Sequence, residues 1–411
     1  VAVASDELVN KVVEEVSKIS TEEKQTLSAQ VLKAIVDSDS GKIEIINEDV
    51  KGTMIKQTIQ SAQNQEDVTG VQQTQDMTSI VSDIIVNTNT ETGSKMIEEL
   101  NNSSTDTEND LSLQVISAIS EKDTTKLNTL SENNKEQIEK LTETAIKNAD
   151  ASEESADLIA KVVANASDEL VNKVVEEVSK NSTEENQALS AKVMKSIVET
   201  NPEKIETLSD ENKETIITQT IEAAKNQAEG TSTDEVDLTN TIAEIVTKSD
   251  TGTAAKVLET LEEISSESDS KLSLNVVSNL TKQANYEEKI EILSVTSSVV
   301  EQSITKLVEK AVKDANSEED LELITNILEN SKGTIADKII NSANTNEESK
   351  KKISEVIVKV IEKNPEKAVE IIEKNKNTNT VLETIKTKIE NNEAVTSEDF
   401  GKVFDTNVTP N

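Results

Sequence analysis

The stretch SDELVNKVVEEVSK runs from Ser5 to Lys18 and recurs, letter for letter, from Ser167 to Lys180. Its apolar residues Leu8, Val9, Val12, Val13 and Val16 fall at the three-to-four residue spacing of one helix face, so the spacing predicts an amphipathic helix that is used twice. Chemistry needs one copy of each group in one place. A recurring helix is the mark of a building block.

The identity extends outward. Aligning Ser5–Gln65 with Ser167–Gln227 requires no gap and leaves roughly 38 of about 61 positions identical, at an offset of about 162 residues. Farther along, DLSLQVISAIS (Asp110–Ser120) answers KLSLNVVSNLT (Lys271–Thr281), and KNPEKAVEII (Lys363–Ile372) answers TNPEKIETL (Thr200–Leu208) in a third, partial copy. LSAQVLKAIV (Leu27–Val36) resembles LSLQVISAIS (Leu111–Ser120) about 84 residues later, and half of that, about 40 residues, is the size of one helix-turn-helix unit.

Start signals for helices agree with the periodicity. Ser20 with Glu23, Ser182 with Glu185 and Thr345 with Glu348 read as capping boxes. Asn201-Pro202-Glu203 and Asn364-Pro365-Glu366 put a cap, a first-turn proline and an acid in the favoured order. β-branched residues are frequent, but two-residue alternation and glycine-rich hairpin signals are scarce, so close to no strand is expected. The fold class is therefore all-α, an elongated α-solenoid of stacked units. Its divisions are a first long copy over 1–162, a second over 163–330, a partial third over 331–390 and a C-terminal cap or docking segment over 391–411. Val12, Val16, Val31 and Ile35 are the predicted core, with Val174, Val178, Val193 and Ile197 as their equivalents.

In unit length and paired amphipathic helices the chain resembles the HEAT and armadillo class of α-solenoids. It departs from that class in having no Arg and almost no aromatic residue. The resemblance covers most of the chain and implies an architecture only.

Composition narrows the function. There is no Cys, His or Trp, and all 42 basic residues are lysines set against 80 carboxylates, so thiolate and imidazole nucleophiles, bases and metal ligands are missing. No enzyme is expected, and no cofactor. The formal charge of −38 repels phosphate backbones and anionic lipid heads, which argues against nucleic acid as a partner. No apolar run is long enough for membrane insertion. The chain begins at Val1 without Met and enters the repeat at once, which reads as a processed product or a window cut from a longer polypeptide.

Few segments invite a chemical reading. DSDSGKIEIINE (Asp37–Glu48) offers Asp37, Asp39 and Glu48 as calcium ligands at approximately EF-hand spacing, yet the aligned ETNPEKIETLSD of the second copy loses both aspartates and keeps the helix start, which favours an acidic interhelix turn. Paired acids such as Glu14-Glu15, Glu153-Glu154 and Glu318-Glu319 read as solvated helix faces. Asn-X-Ser/Thr triplets at Asn101, Asn165, Asn181 and Asn279, and also at Asn102 and Asn407, are glycan acceptors in principle for an exported chain. Phe400 and Phe404, both of the chain's phenylalanines, lie four apart near its end and form a candidate assembly plug.

With no Trp or Arg and one Tyr, the chain lacks the residues that concentrate binding energy in tight interfaces. Arrayed weak contacts need none of them. The expectation is a structural repeat protein, extracellular or at a cell surface, whose partner is itself in a filament, layer or stalk, with screening salt or divalent cations such as calcium allowing acidic surfaces to approach. A solenoid scaffold that holds a protein partner is the alternative.

Overall fold

A computed structural model describes residues 4–18, 21–66, 77–103, 111–230, 237–266, 271–331, 333–343, 346–374, 387–389, 391, 393–396 and 399. Among the described residues every regular element is helical and none is a strand. The chain divides into two compact units, Val1–Asn212 and Lys213–Asn411.

The helices of the first unit are α1 (Asp6–Ser17), α2 (Glu22–Asp39), α3 (Gly41–Glu44), α4 (Glu48–Glu66), α5 (Met77–Asn87), α6 (Thr90–Ser103), α7 (Leu111–Lys122), α8 (Thr124–Asn133), α9 (Lys135–Asn148), α10 (Glu153–Asn165), α11 (Asp168–Val178) and α12 (Glu184–Thr200), followed by a 3-10 helix over Pro202–Thr207. After α13 (Asp210–Ala228) come α14 (Leu238–Lys248), α15 (Thr251–Ser266), α16 (Leu272–Leu280), α17 (Tyr286–Thr296), α18 (Ser298–Asp314), α19 (Glu318–Asn330), α20 (Thr334–Ser342), α21 (Glu347–Lys363) and α22 (Pro365–Lys374). Helices equivalent in the long repeat, from α1 and α11 to α12 and α21, begin 161 to 166 residues apart. The long period of the sequence is thus a period of structure.

Each repeat is a helix pair, and within each unit the pairs stack in two layers. In the first unit α1, α4, α6, α9 and α11 pack in succession, as do α2, α5, α7, α10 and α12. The second unit repeats the scheme with α15, α18 and α20 in one layer and α14, α16, α19 and α21 in the other. Neighbours in sequence are neighbours in space, the defining property of a helical solenoid. Alternate pairs carry a short third segment, namely α3, α8, the Pro202–Thr207 helix, α17 and α22.

The low apolar content is explained by how the layers are filled. Ile, Leu, Val and Ala form the core with all four methionines, and small hydroxyl residues recur at equivalent buried positions: Ser28 and Ser190, Thr58 and Thr220, Ser112 and Ser273. Thr58 and Thr220 donate their hydroxyls to the carbonyls of Met54 and Ile216, one turn back, so their burial strands no donor, whereas the buried Ser273 hydroxyl finds no partner. Tyr286 is buried as well, which pushes its phenol up to about 12, with Asn330 O and Glu287 in reach of the hydroxyl.

Two sequence expectations are corrected. The helices expected to be capped by Ser20, Ser182 and Thr345 begin one residue later: Thr21, Thr183 and Asn346 precede α2, α12 and α21, and Thr183 and Asn346 accept from the backbone N–H groups of Asn186 and Ser349. Starting there places Glu184–Glu185 and Glu347–Glu348 in the first turn, beside the unpaired N–H groups and the positive end of the helix dipole. The second correction concerns the core. Val174, Val178, Val193, Ile197 and Ile35 are buried as expected, but Val12, Val16 and Val31 are only half-buried. In α1 and α2 the residues sealed from solvent are Val9, Val13 and Leu32 instead. Leu8 is 52 % exposed where its equivalent Leu170 is 2 % exposed, and Leu27 is 39 % exposed where Leu189 is 3 % exposed. The reason is geometric: α9 and α10 pack on α11 and α12, whereas no described element lies on that side of α1 and α2.

Candidate functional site

The recurring chemical feature is the use made of lysine. Most side-chain hydrogen bonds between distant residues join positions some 33 to 49 apart, one repeat to the next, and lysine supplies many of them. Lys122 of α7 reaches Asp83 of α5 at 2.7 Å, and Lys33 of α2 reaches the same carboxylate at 2.9 Å, so one aspartate is clamped between the second helices of the flanking pairs. Burial alone would raise the Asp83 carboxyl, but the two ammonium groups prevail and hold it below its usual range. Lys256 to Glu214 (2.9 Å), Lys306 to Glu262 (3.0 Å) and Lys161 to Glu121 (3.2 Å) are further ties of this kind. Lys359 and Lys363 of α21 pair in the same way with Glu318 and Glu322 of α19.

A second set of lysines donates to backbone. Lys42 of α3, Lys126 of α8, Lys204 of the Pro202–Thr207 helix and Lys289 of α17 donate to the carbonyls of Ala4, Thr88, Ala166 and Ser249. The acceptor lies 38 to 40 residues back each time, in the turn that leads into the first helix of a pair. Ala166 and Ser249 cap the C-terminal ends of α10 and α14 and Thr88 follows α5, where carbonyls lack an intrahelical partner and carry the negative end of the dipole, so an ammonium from the adjacent repeat satisfies both needs there, and Ala4 precedes α1. Burial pushes the Lys126 ammonium down against the attraction of Asp123 and Glu44. These four lysines all belong to the short third segments. Lys42 and Lys204 occupy one register of the long repeat and Lys126 and Lys289 another, while Lys367, in the register of Lys42, pairs with Glu370 on its own helix.

An open cleft of about 460 Å³ lies beside α9 and the α11–α12 turn, lined by Glu143, Ile146, Glu177, Lys180, Glu185 and Leu189 among others. Glu177 is its buried charge. Lys173 approaches it at 2.7 Å and Lys180 at 3.0 Å, and Lys180 also stands 3.8 Å from Glu143 of the preceding pair. Burial opposes ionisation of Glu177, yet the hydrogen bonds from both lysines hold its carboxyl below the usual range, and the same bonds hold the two ammonium groups above theirs. A carboxylate so held is ionised at neutral pH and has no proton to give. The cluster joins helices.

Of the candidate residues from the sequence, Glu48 belongs to this pattern through Lys95 of α6, and Asp37 and Asp39 stand apart from it. Asp37 pairs with Lys33 on its own helix at 3.0 Å, and Asp39 accepts from the Gly41 N–H. Glu48 is pulled down to about 2 by Lys95 and Lys51. Each calcium candidate therefore has a partner within the chain, and among the described residues no group of three or more acidic side chains is arranged to hold a metal ion. Among the glycan candidates, Asn101 and Asn279 are buried, their amides donating to Gln137 and to Asp237 and Thr239, while Asn165 is half-buried and Asn181 exposed. Phe400 and Phe404 lie outside the described residues. No described helix is long and apolar enough to cross a membrane.

No family model matches the chain, and no curated protein matches it either. Among solved structures it is similar to the crystal structure of an engineered protein, at 14 % identity and a TM-score of 0.34, over 97 % of this chain and 99 % of that one. A likeness of that degree carries no argument.

Proposed function

We propose that this chain is a non-enzymatic structural repeat protein that assembles with further copies of itself into a filament, layer or stalk, outside the cell or at its surface. The observation that supports the reading is the use of charge. Lysine, the only basic residue, ties pair to pair through carboxylates and turn carbonyls, and the most buried glutamate is held by two lysines three and four residues away, one of which also reaches the preceding pair, rather than poised for proton transfer. Side chains that join repeats are what a load-distributing array requires. The excess of acid remaining on the surface makes association depend on salt, or on divalent cations such as calcium that bridge like-charged faces. Glycans, if the chain passes through a glycosylating compartment, belong on Asn181 and Asn165 before Asn101 and Asn279.

Light scattering and electron microscopy of the full chain over a series of salt and calcium concentrations test the reading. Growth of regular assemblies supports it, and a chain that stays monomeric at every condition and at high concentration refutes it. A second reading, a solenoid scaffold that holds a different protein, is favoured by one feature. Ile292, Val295 and Val299 are exposed together around the α17–α18 turn, and capture of a partner that Val295→Asp abolishes would select it.

A further inference from the structure

Helices α8 and α17 hold the same place in the two long copies, and their outer faces are written differently. The inner positions agree. Leu127 and Leu130 answer Ile290 and Leu293, all buried, and Lys126 answers Lys289, each donating to a carbonyl one pair back. On the opposite face of α17, Glu288, Glu291, Ile292 and Val295 stand at i, i+3, i+4 and i+7, where α8 carries Thr125, Asn128, Thr129 and Glu132. Val299, in the first turn of α18, takes the place of Gln137 in α9. Val295 is 81 % exposed, and Ile292 and Val299 are exposed beside it. The first copy builds the same core with polar residues at these positions, so packing does not call for the apolar ones. The two acids belong to the same change. Lysine reaches many carboxylates of this chain, but among the described residues none pairs with Glu288 or Glu291, and the Lys289 ammonium between them is spent on Ser249 O. An apolar strip that the core does not need, with unpaired acids beside it, is a surface shaped for a partner.

We propose that the outer face of α17, together with Val299, docks a basic amphipathic helix of another protein. Aliphatic side chains of that helix cover Ile292, Val295 and Val299, and its lysine or arginine side chains pair with Glu288 and Glu291. Register favours a helix as the occupant, because the four positions on α17 run along two turns of a convex surface against which a second helix can lie lengthwise. Charge decides between occupants. A second copy of a chain of net charge −38 brings further acid to these glutamates, and anionic lipid heads are repelled in the same way. The inference rests on the scaffold reading and adds to it the chemistry of the partner.

The test is fluorescence anisotropy on the full chain with three labelled peptides of about four helical turns. In the first, leucine forms one stripe and lysine its flanks; the second has glutamine for lysine; the third is the first scrambled, with the same charge and no stripe. The parent binds the lysine peptide about tenfold more tightly than either of the others. Ile292→Thr/Val295→Glu installs the residues of the first copy, so the far-UV spectrum and melting curve stay as in the parent. It keeps the acidic charge and removes the apolar contact, and weakens the lysine peptide about tenfold. Glu288→Thr/Glu291→Asn weakens it by a similar factor, about tenfold, and lowers the dependence of binding on salt. Lysine-peptide binding that the scrambled peptide matches, or that neither variant alters, overturns the inference. A glutamine peptide that binds as tightly as the lysine peptide, and is lost with Ile292→Thr/Val295→Glu, also overturns it while leaving the scaffold reading standing. Self-association of the parent, or its binding to phosphatidylcholine vesicles, that the same variant abolishes gives the face to a second copy or to lipid and overturns both.

Discussion

Helices α1 and α11 are written in the same letters and live in different surroundings. Both begin after a serine with Asp and Glu in the first turn, and both present the same apolar stripe. Yet Val174 and Val178 are sealed where Val12 and Val16 are half open, and Glu177 is a buried member of an ion cluster where Glu15 lies in solvent. Fourteen identical residues determine a helix; the preceding pair determines which of its faces is core. In a solenoid burial belongs to the junction between repeats, so one substitution has two meanings depending on the copy that carries it.

The largest effect that follows is Val178→Asp against Val16→Asp. Val178 is fully enclosed, and an unpaired carboxylate there costs several kcal/mol, of order 3–5, whereas at half-open Val16 water reaches the new charge and the cost is about 1 kcal/mol. Because stacked repeats can unfold piecewise, hydrogen exchange over α9–α12 and over α1–α4 is the decisive measurement beside the melting curve. Equal losses in the two copies would mean that α9 and α10 do not cover α11 and α12. Next in size is Leu170→Ala against Leu8→Ala, at about 2–4 kcal/mol against less than about 1 kcal/mol, since only the first leaves a cavity.

Much of this fold was legible because its signals are local. The stripe of Leu8, Val12 and Val16 marks a helix wherever it stands, and the offset of about 162 residues gives the repeat without reference to any structure. Helix starts were legible to within one residue, the error arising because Thr183 and Asn346 follow the residues expected to cap and can cap equally well while drawing two glutamates into the first turn. What could not be read was anything that depends on the neighbour. Nothing local distinguishes Val16 from Val178, and nothing in Gly41-Lys42 or Pro202-Glu203-Lys204 says that the ammonium meets a carbonyl 38 residues back. The period of the sequence does align Lys42 with Lys204 and Lys126 with Lys289, which marks the positions as equivalent without naming the carbonyls they meet.

Those ties set a middle rank of effects. Lys204→Met removes the donor to Ala166 O and the weaker contact with Asp168 at 3.5 Å, leaving a turn carbonyl without its partner. The expected cost is about 1–2 kcal/mol, localised to the α10–α11 turn and read as faster exchange of the amides that flank Ala166. Lys204→Arg retains a charged donor and restores part of the loss. Lys42→Met, at the equivalent position, loosens the entry to α1 and leaves the α10–α11 turn unchanged.

The smallest effect is in the pH dependence, where the sign follows from the direction of each shift. Glu177 and Asp83 are held below their ordinary values in the folded chain, so the unfolded chain binds their protons more readily, and their contribution to stability is present above the ordinary carboxylate values of 4.5 and 3.8. It disappears as pH falls through the lower folded values, when protonation releases Lys173 and Lys180 from Glu177, and Lys33 and Lys122 from Asp83. Stability of the parent chain therefore falls on the acid side of about pH 4.5, and Glu177→Gln and Asp83→Asn each flatten that limb while lowering stability at neutral pH. A urea titration at each pH reads the slope directly, and an acid limb that neither Glu177→Gln nor Asp83→Asn flattens would show that these two lysine-held carboxylates contribute nothing to it.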